Sequence, residues 1–150
     1  MLGEEKNMPT SKIVIGDADS LIALAFKDDS NHERAKKISE QLLSRAYEIV
    51  YPNTAIMEAI TTLRRALNLP DKAQLVNHQY QQGNITVEYI NEGIQLKASQ
   101  RWQKADSKKN TIFDAVVAET AVSFNANYIF SFDDWYQKQG FTLASEISSI

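Results

Sequence analysis

The side chains in this 150-residue sequence best suited to chemistry are carboxylates. Asp17 ends the apolar run Ile13-Val14-Ile15, one residue after Gly16. Glu58 lies about one turn into a helical segment that opens at Asn53 or Thr54. Asp114 sits in the first turn of another helix, which opens at Thr111. Asp133 follows the run NYIFS, residues 127–131, by two residues. Clustered carboxylates repel one another, and a hard divalent ion such as Mg²⁺ or Mn²⁺ relieves that repulsion through oxygen ligands. A cation held there can turn water into a nucleophile and steady the leaving oxygen of a phosphodiester. No nucleophilic side chain is needed. Each acid also has a plainer reading. Asp17 or Asp19 could cap a helix, Thr111–Asp114 has the spacing of a capping box, Glu58 could be a solvated helix acid, and Asp133 could cap the turn after it.

Other chemistries have thin support. Cysteine is absent, which removes disulfides, thiolates and Cys-based zinc sites. The two histidines, His32 and His78, are far apart in helical segments and read as surface residues. Asp19, Asn53, Thr54 and Ser131 are candidates for hydrogen bonds that support the acids or hold phosphate. Lys108 and Lys109, just before Asp114, are the cations placed to meet a phosphate. Trp102, Trp135 and Tyr136 could stack on bases, but packing is the simpler role for all three.

The elements that must deliver these residues alternate strand and helix. Strands are expected at 12–17, 48–51, 85–89, 127–131 and 141–144. Helices are expected at 20–27, after His32, from Asn53 to about Leu69, from Pro70 to about Gln82, from Asn91 to about Ala105, and from Thr111 to Phe124. This pattern specifies an α/β domain with a parallel sheet. In such a sheet ligands bind at the carboxyl edge of the strands, near the reversal of strand order. Asp17, Glu58 and Asp133 are expected at that edge. Asp114 precedes its strand, so spacing alone does not set it beside them without a shifted helix or a long approach.

Length suits one domain over residues 12–150, with a loose polar leader over 1–11. The leader lacks a signal peptide's basic start and apolar stretch, and no apolar run reaches the ~18 residues of a membrane span. A cytoplasmic protein is expected. The net charge of −3 argues against a broad basic face for nucleic acid. With the four acids compensated by metal, −3 becomes +1, so an RNA substrate is not excluded.

Three blocks, IVIGDADSLIAL, YPNTAIMEAITTLRR and IFDAVVAETAVSFNANYIFSFDDWYQKQGF, together resemble the motif regions of PIN domains. The first sets Asp17 on that family's first acid and the second sets Glu58 on its helical Glu. The third carries over Asp114 and Asp133. The resemblance implies a three-layer α/β/α fold with sheet order 3-2-1-4-5 and all four acids in one cleft. It implies a Mg²⁺- or Mn²⁺-dependent endoribonuclease acting on RNA, with Asp17, Glu58, Asp114 and Asp133 as metal ligands. Small proteins of this kind resemble VapC-type toxins, which implies an antitoxin protein as partner, and a homodimer through 56–69 and the following helix. Two departures stand out: Ala18 replaces a usual Thr, and Asp19 stands where Ser or Asn is usual. Two rivals remain. Asp17-Ala18-Asp19-Ser20 also resembles the nucleophile motif of haloacid-dehalogenase-like phosphatases, with Asp133-Asp134 as a late acidic pair. A non-catalytic module keeping the PIN fold would share the pattern.

Overall fold

The computed structural model describes residues 12–149; the expected leader over 1–11 lies outside the described residues. Five strands form one parallel sheet: β1 (Ile13–Gly16), β2 (Glu48–Pro52), β3 (Thr86–Glu88), β4 (Tyr128–Phe130) and β5 (Thr142–Leu143), in the order β3-β2-β1-β4-β5. β1 is central. Val14 and Ile15 point to opposite faces and both are fully buried, as an unbroken β-branched run requires of a strand covered on both sides.

Helices cover the two faces. α1 (Ala18–Ala25), α2 (His32–Ser44), α3 (Asn53–Thr61) and α4 (Pro70–Gln81) enclose two adjoining clusters on one face. One is built around Tyr51, Leu21, Ile56 and Leu63, the other around Val14, Ile38, Leu42 and Phe130. On the other face α6 (Ile112–Ser123) and the short α7 (Trp135–Lys138) bury Ile15, Val50, Val117 and Ile129, with α5 (Glu92–Lys104) packed on α6. That is the expected three-layer architecture. Among the described residues no helix is long and apolar enough to cross a membrane.

Several local expectations differ. The helix after β2 is not continuous to Leu69. It passes at Thr62–Ala66 into a π-helical turn, in which Leu67 N–H donates to the Thr62 carbonyl at 3.0 Å. Neither Asn53 nor Thr54 caps α3. Pro52 holds the cap position, and the Asn53 side chain instead accepts from Ile90 N–H at 3.0 Å. Leu43, Trp102 and Phe113, expected to pack, are exposed, and so is Leu96, which lies two residues from the buried Ile94 and Ala98 and therefore faces away from them. Ile56, Ala59 and Leu63, from the stretch expected to pair copies, belong to the chain's own core. Met57, Leu67 and Leu75 are exposed.

One close approach fixes the path to the first acid. A Cβ at Gly16 would press against the edge of the Tyr51 ring, closer to its carbons than carbon atoms approach one another. Tyr51 is buried, and its hydroxyl lies 2.9 Å from Ser20 Oγ. Only glycine lets β1 pass that ring and deliver the next residue, Asp17.

Candidate active site

β1 delivers Asp17 to the carboxyl edge of the sheet. Its N–H still donates to Phe130 O at 3.1 Å, so the pairing with β4 runs one residue past the strand. The chain then turns directly into α1, and the Asp17 carboxylate accepts from Ala18 N–H at 2.7 Å. Asp17 therefore caps the helix as the plainer reading holds, and it also lines a cleft of about 350 Å³. Asp19, Glu58, Asp114 and Asp133 line the same cleft, with Lys109, Thr62 and the apolar side chains Ile22 and Phe132.

Asp114 reaches the cleft without a shifted helix. α6 starts at the carboxyl edge and runs back to the foot of β4, so its first turn stands beside the ends of β1 and β4. A helix that feeds a parallel strand must begin at the opposite edge from where that strand begins. The expected long approach for Asp114 had that geometry reversed. The capping box is also present: the Asp114 carboxylate accepts from Thr111 N–H at 2.9 Å. Asp133 is held by Trp135 N–H at 2.9 Å.

Asp19 turns toward β4. Its Oδ2 accepts from Ser131 Oγ at 2.9 Å and from Phe132 N–H at 2.8 Å, while Ser131 Oγ accepts from Asp133 N–H at 3.1 Å. Its Oδ1 is buried with no hydrogen-bond partner. A stranded carboxylate oxygen is costly unless something arrives to meet it. Among the other expected site residues, Lys109 lines the cleft and Ser131 braces Asp19. Asn53 does not line it, and its side chain ties α3 to the segment after β3. Thr54 Oγ1 is buried away from it without a partner, and Lys108 is exposed outside it.

Two residues that touch the acids were not singled out for that role. Tyr136 donates its hydroxyl to Asp17 Oδ2 at 2.7 Å, and Asn110 Nδ2 donates to Asp114 Oδ2 at 3.0 Å and Asp133 Oδ2 at 2.8 Å. Asn110 sits in a polar loop that looks like a linker, and Tyr136 in a turn whose aromatics look like packing. The available signal was position: Asn110 directly precedes the capping Thr111, and Tyr136 follows Asp133 by three residues.

Burial and mutual repulsion shape the electrostatics. Asp17 is held well above the usual carboxylate range, first by burial and then by the charges of Asp19 and Asp114, against the bond from Tyr136. Burial raises Asp19 to about 6, against its bonds from Phe132 and Ser131. Burial, then Asp114 and Asp19, raise Glu58 to about 7. Burial also raises Asp114, against the bonds from Thr111 and Asn110. These acids therefore hold protons in the folded state that the unfolded chain would release. Such stability is full below the unfolded values near 4 and is lost as pH rises through about 6 and 7. The protein kept in chelator is expected to melt at a higher temperature at pH 5 than at pH 8. Excess Mg²⁺ is expected to flatten that slope, because ligated carboxylates give up their protons. Scanning calorimetry across that range checks it; a melting temperature that climbs from pH 5 to pH 8 in chelator contradicts this electrostatic account.

The donor set fits a hard divalent ion: five carboxylates share one cleft, and one buried oxygen lacks a partner. As they stand, no three Asp, Glu or His side chains among the described residues are arranged to hold a metal ion. Protein donors already hold Asp17, Asp19, Asp114 and Asp133 in place, and their carboxylates keep further lone pairs for a cation. Glu58 accepts from no protein donor among the described residues.

A family model described as PIN domain matches residues 14–141. Among solved structures, VapC20 of Mycobacterium tuberculosis, described as a sarcin–ricin loop cleaving toxin, superposes with a TM-score of 0.76 at 18% identity. The match covers 86% of this chain and 96% of that one. No curated protein matches the sequence.

Proposed function

We infer the activity from one premise: the chain belongs to the PIN domain family. We propose that it is a divalent-metal-dependent endoribonuclease, and that Asp17, Glu58, Asp114 and Asp133 are its catalytic, metal-holding residues. The observation that carries this reading is the convergence of those acids, with Asp19, on one cleft at the carboxyl edge of a parallel sheet. A phosphatase using Asp17 as nucleophile would leave Glu58 and Asp114 without a task, and the family match favours the nuclease.

When bound, Mg²⁺ or Mn²⁺ would supply an activated water and charge neutralisation for the leaving oxygen. The chain's own residues do the rest. Asp17 and Asp114 offer ligands on rigid supports, each at the start of a helix. Asp133 offers one from the turn after β4. Glu58, free of protein donors among the described residues, is able to ligate or to orient the attacking water. Asp19 adds its unpartnered Oδ1. Lys109 is the cation on the cleft wall and is suited to a substrate phosphate. Ile22 and Phe132 keep part of the wall dry, which strengthens charge interactions inside.

Purified protein incubated with structured RNA tests the reading. Cleavage is expected with Mg²⁺ or Mn²⁺, none in chelator, and recovery when metal is restored. Cleavage that persists in chelator sinks the metal-dependent mechanism.

The biological role we propose is the toxin of a toxin–antitoxin pair, with a small partner protein covering the cleft. It draws on the fold shared with VapC20. A basic or amide side chain from such a partner would compete for the acids or the metal. Controlled expression in a bacterial host is expected to arrest growth, with arrest lifted by the product of a neighbouring reading frame. Harmless expression of a protein with nuclease activity in vitro would point to RNA processing instead. We also propose a homodimer, with Met57, Leu67 and Leu75 as exposed apolar contacts; light scattering giving a mass of 17.0 kDa would exclude it.

A further inference from the structure

We propose that Asn110 and Tyr136 are positioning residues that set the separation of the acids before any cation arrives. The inference rests on the metal-dependent reading above. Each residue directs a neutral donor at the acids of the cleft, Tyr136 at Asp17 and Asn110 at the meeting of Asp114 and Asp133. The Asn110 amide oxygen is taken by Ser107 Oγ at 2.6 Å, which fixes the amide and turns Nδ2 toward the cleft. That nitrogen then reaches Asp114, at the start of α6, and Asp133, after β4, at 3.0 and 2.8 Å. The side chain is not a surface ornament, since Asn110 is only 7% exposed. Tyr136 is fully buried; its ring lies edge-on to Trp135, and its hydroxyl reaches Asp17 Oδ2 at 2.7 Å.

Tyr136 thus anchors Asp17, and Asn110 ties Asp114 to Asp133. A donor between two carboxylates offsets their repulsion and holds them close. Being neutral, it does so without the charge by which a lysine would compete with the incoming cation. A residue that only pinned the 105–111 loop to the body could bond any backbone carbonyl. Both contacts from Asn110 Nδ2 instead go to acids that line the cleft.

The test uses the full chain with Asn110→Ala and Tyr136→Phe, the second removing a single oxygen. Mn²⁺ affinity is measured by titration calorimetry well below each melting temperature, and cleavage is resolved into kcat and KM at fixed Mn²⁺. Each variant is expected to bind Mn²⁺ ~10–100-fold more weakly, the loss typical when a partner of a metal ligand is removed. At limiting metal kcat should fall with KM for RNA unchanged, and high Mn²⁺ should restore kcat. A lowered melting temperature with wild-type Mn²⁺ affinity and kcat would overturn the proposal, leaving both residues structural. Should Asn110→Ala fail to fold, Tyr136→Phe decides alone. Wild-type protein that binds Mn²⁺ but cleaves no RNA removes the nuclease reading and leaves the affinity comparison standing. Wild-type protein that binds no Mn²⁺ overturns both.

Discussion

Asp17→Asn and Asp114→Asn are each expected to lose at least ~10–100-fold in metal affinity or cleavage rate, taking the loss of a metal ligand's supporting partner as the lower bound. The substitution preserves shape and keeps an acceptor oxygen while removing the charge. In the first variant the new amide oxygen can still accept from Ala18 N–H, and in the second it can still accept from Thr111 N–H, so both helix starts survive. Removing a buried charge that repels its neighbours should also leave the metal-free protein as stable as wild type or more so at pH 8. The two effects therefore run in opposite directions, which separates catalysis from folding. RNA cleavage by both variants at the wild-type rate, at low metal and with matched melting temperatures, would refute the assigned roles.

Gly16→Ala is expected to do the most damage to the fold for its size. The new methyl meets the Tyr51 ring, which is boxed in by Leu21, Ile22, Ala55 and Ala59 and bonded to Ser20. Neither partner can move without disturbing the sheet's central strand or the start of α1. Overpacking of this kind costs about 1–3 kcal/mol or more. At roughly 2–4 °C per kcal/mol for a chain of this length, the melting temperature should fall by several degrees. Cleavage should fall further than stability accounts for, because Asp17 is the next residue. Thermal melts and cleavage rates on the same preparation check this. The double variant Gly16→Ala with Tyr51→Leu should recover part of the melting temperature, since it removes the ring. An unchanged melt for Gly16→Ala alone contradicts the steric account.

Much of the fold was legible because its signals are local. The run Ile13-Val14-Ile15 announces a strand buried on both faces, and strand–helix alternation announces a parallel sheet. Asp17, Glu58 and Asp133 could be assigned to the carboxyl edge from chain position alone. Asp114 was equally legible, since a helix feeding a parallel strand begins at that edge, but the direction has to be applied correctly. The order of the strands came from family resemblance, not from periodicity. Other features were out of reach for physical reasons. The π-helical turn at Thr62–Ala66 leaves no compositional mark, because Thr-Leu-Arg-Arg-Ala suits an α-helix as well. The exposure of Trp102 depends on how far α5 overlaps α6. The Asn110 bridge joins a loop to residues 4 and 23 positions away, a pairing that no spacing rule encodes.

The uneven bonding of the five acids bears on how an inactive descendant of this protein would look. Asp17, Asp19, Asp114 and Asp133 each accept from a backbone N–H, so a lineage kept only for its shape would still have reason to retain them. Glu58 accepts from no protein donor among the described residues, and burial beside other acids strains it. Once cleavage no longer matters, drift should remove Glu58 first and the capping aspartates last. An intact set of aspartates is thus weak testimony to a living enzyme, and the glutamate is the better witness.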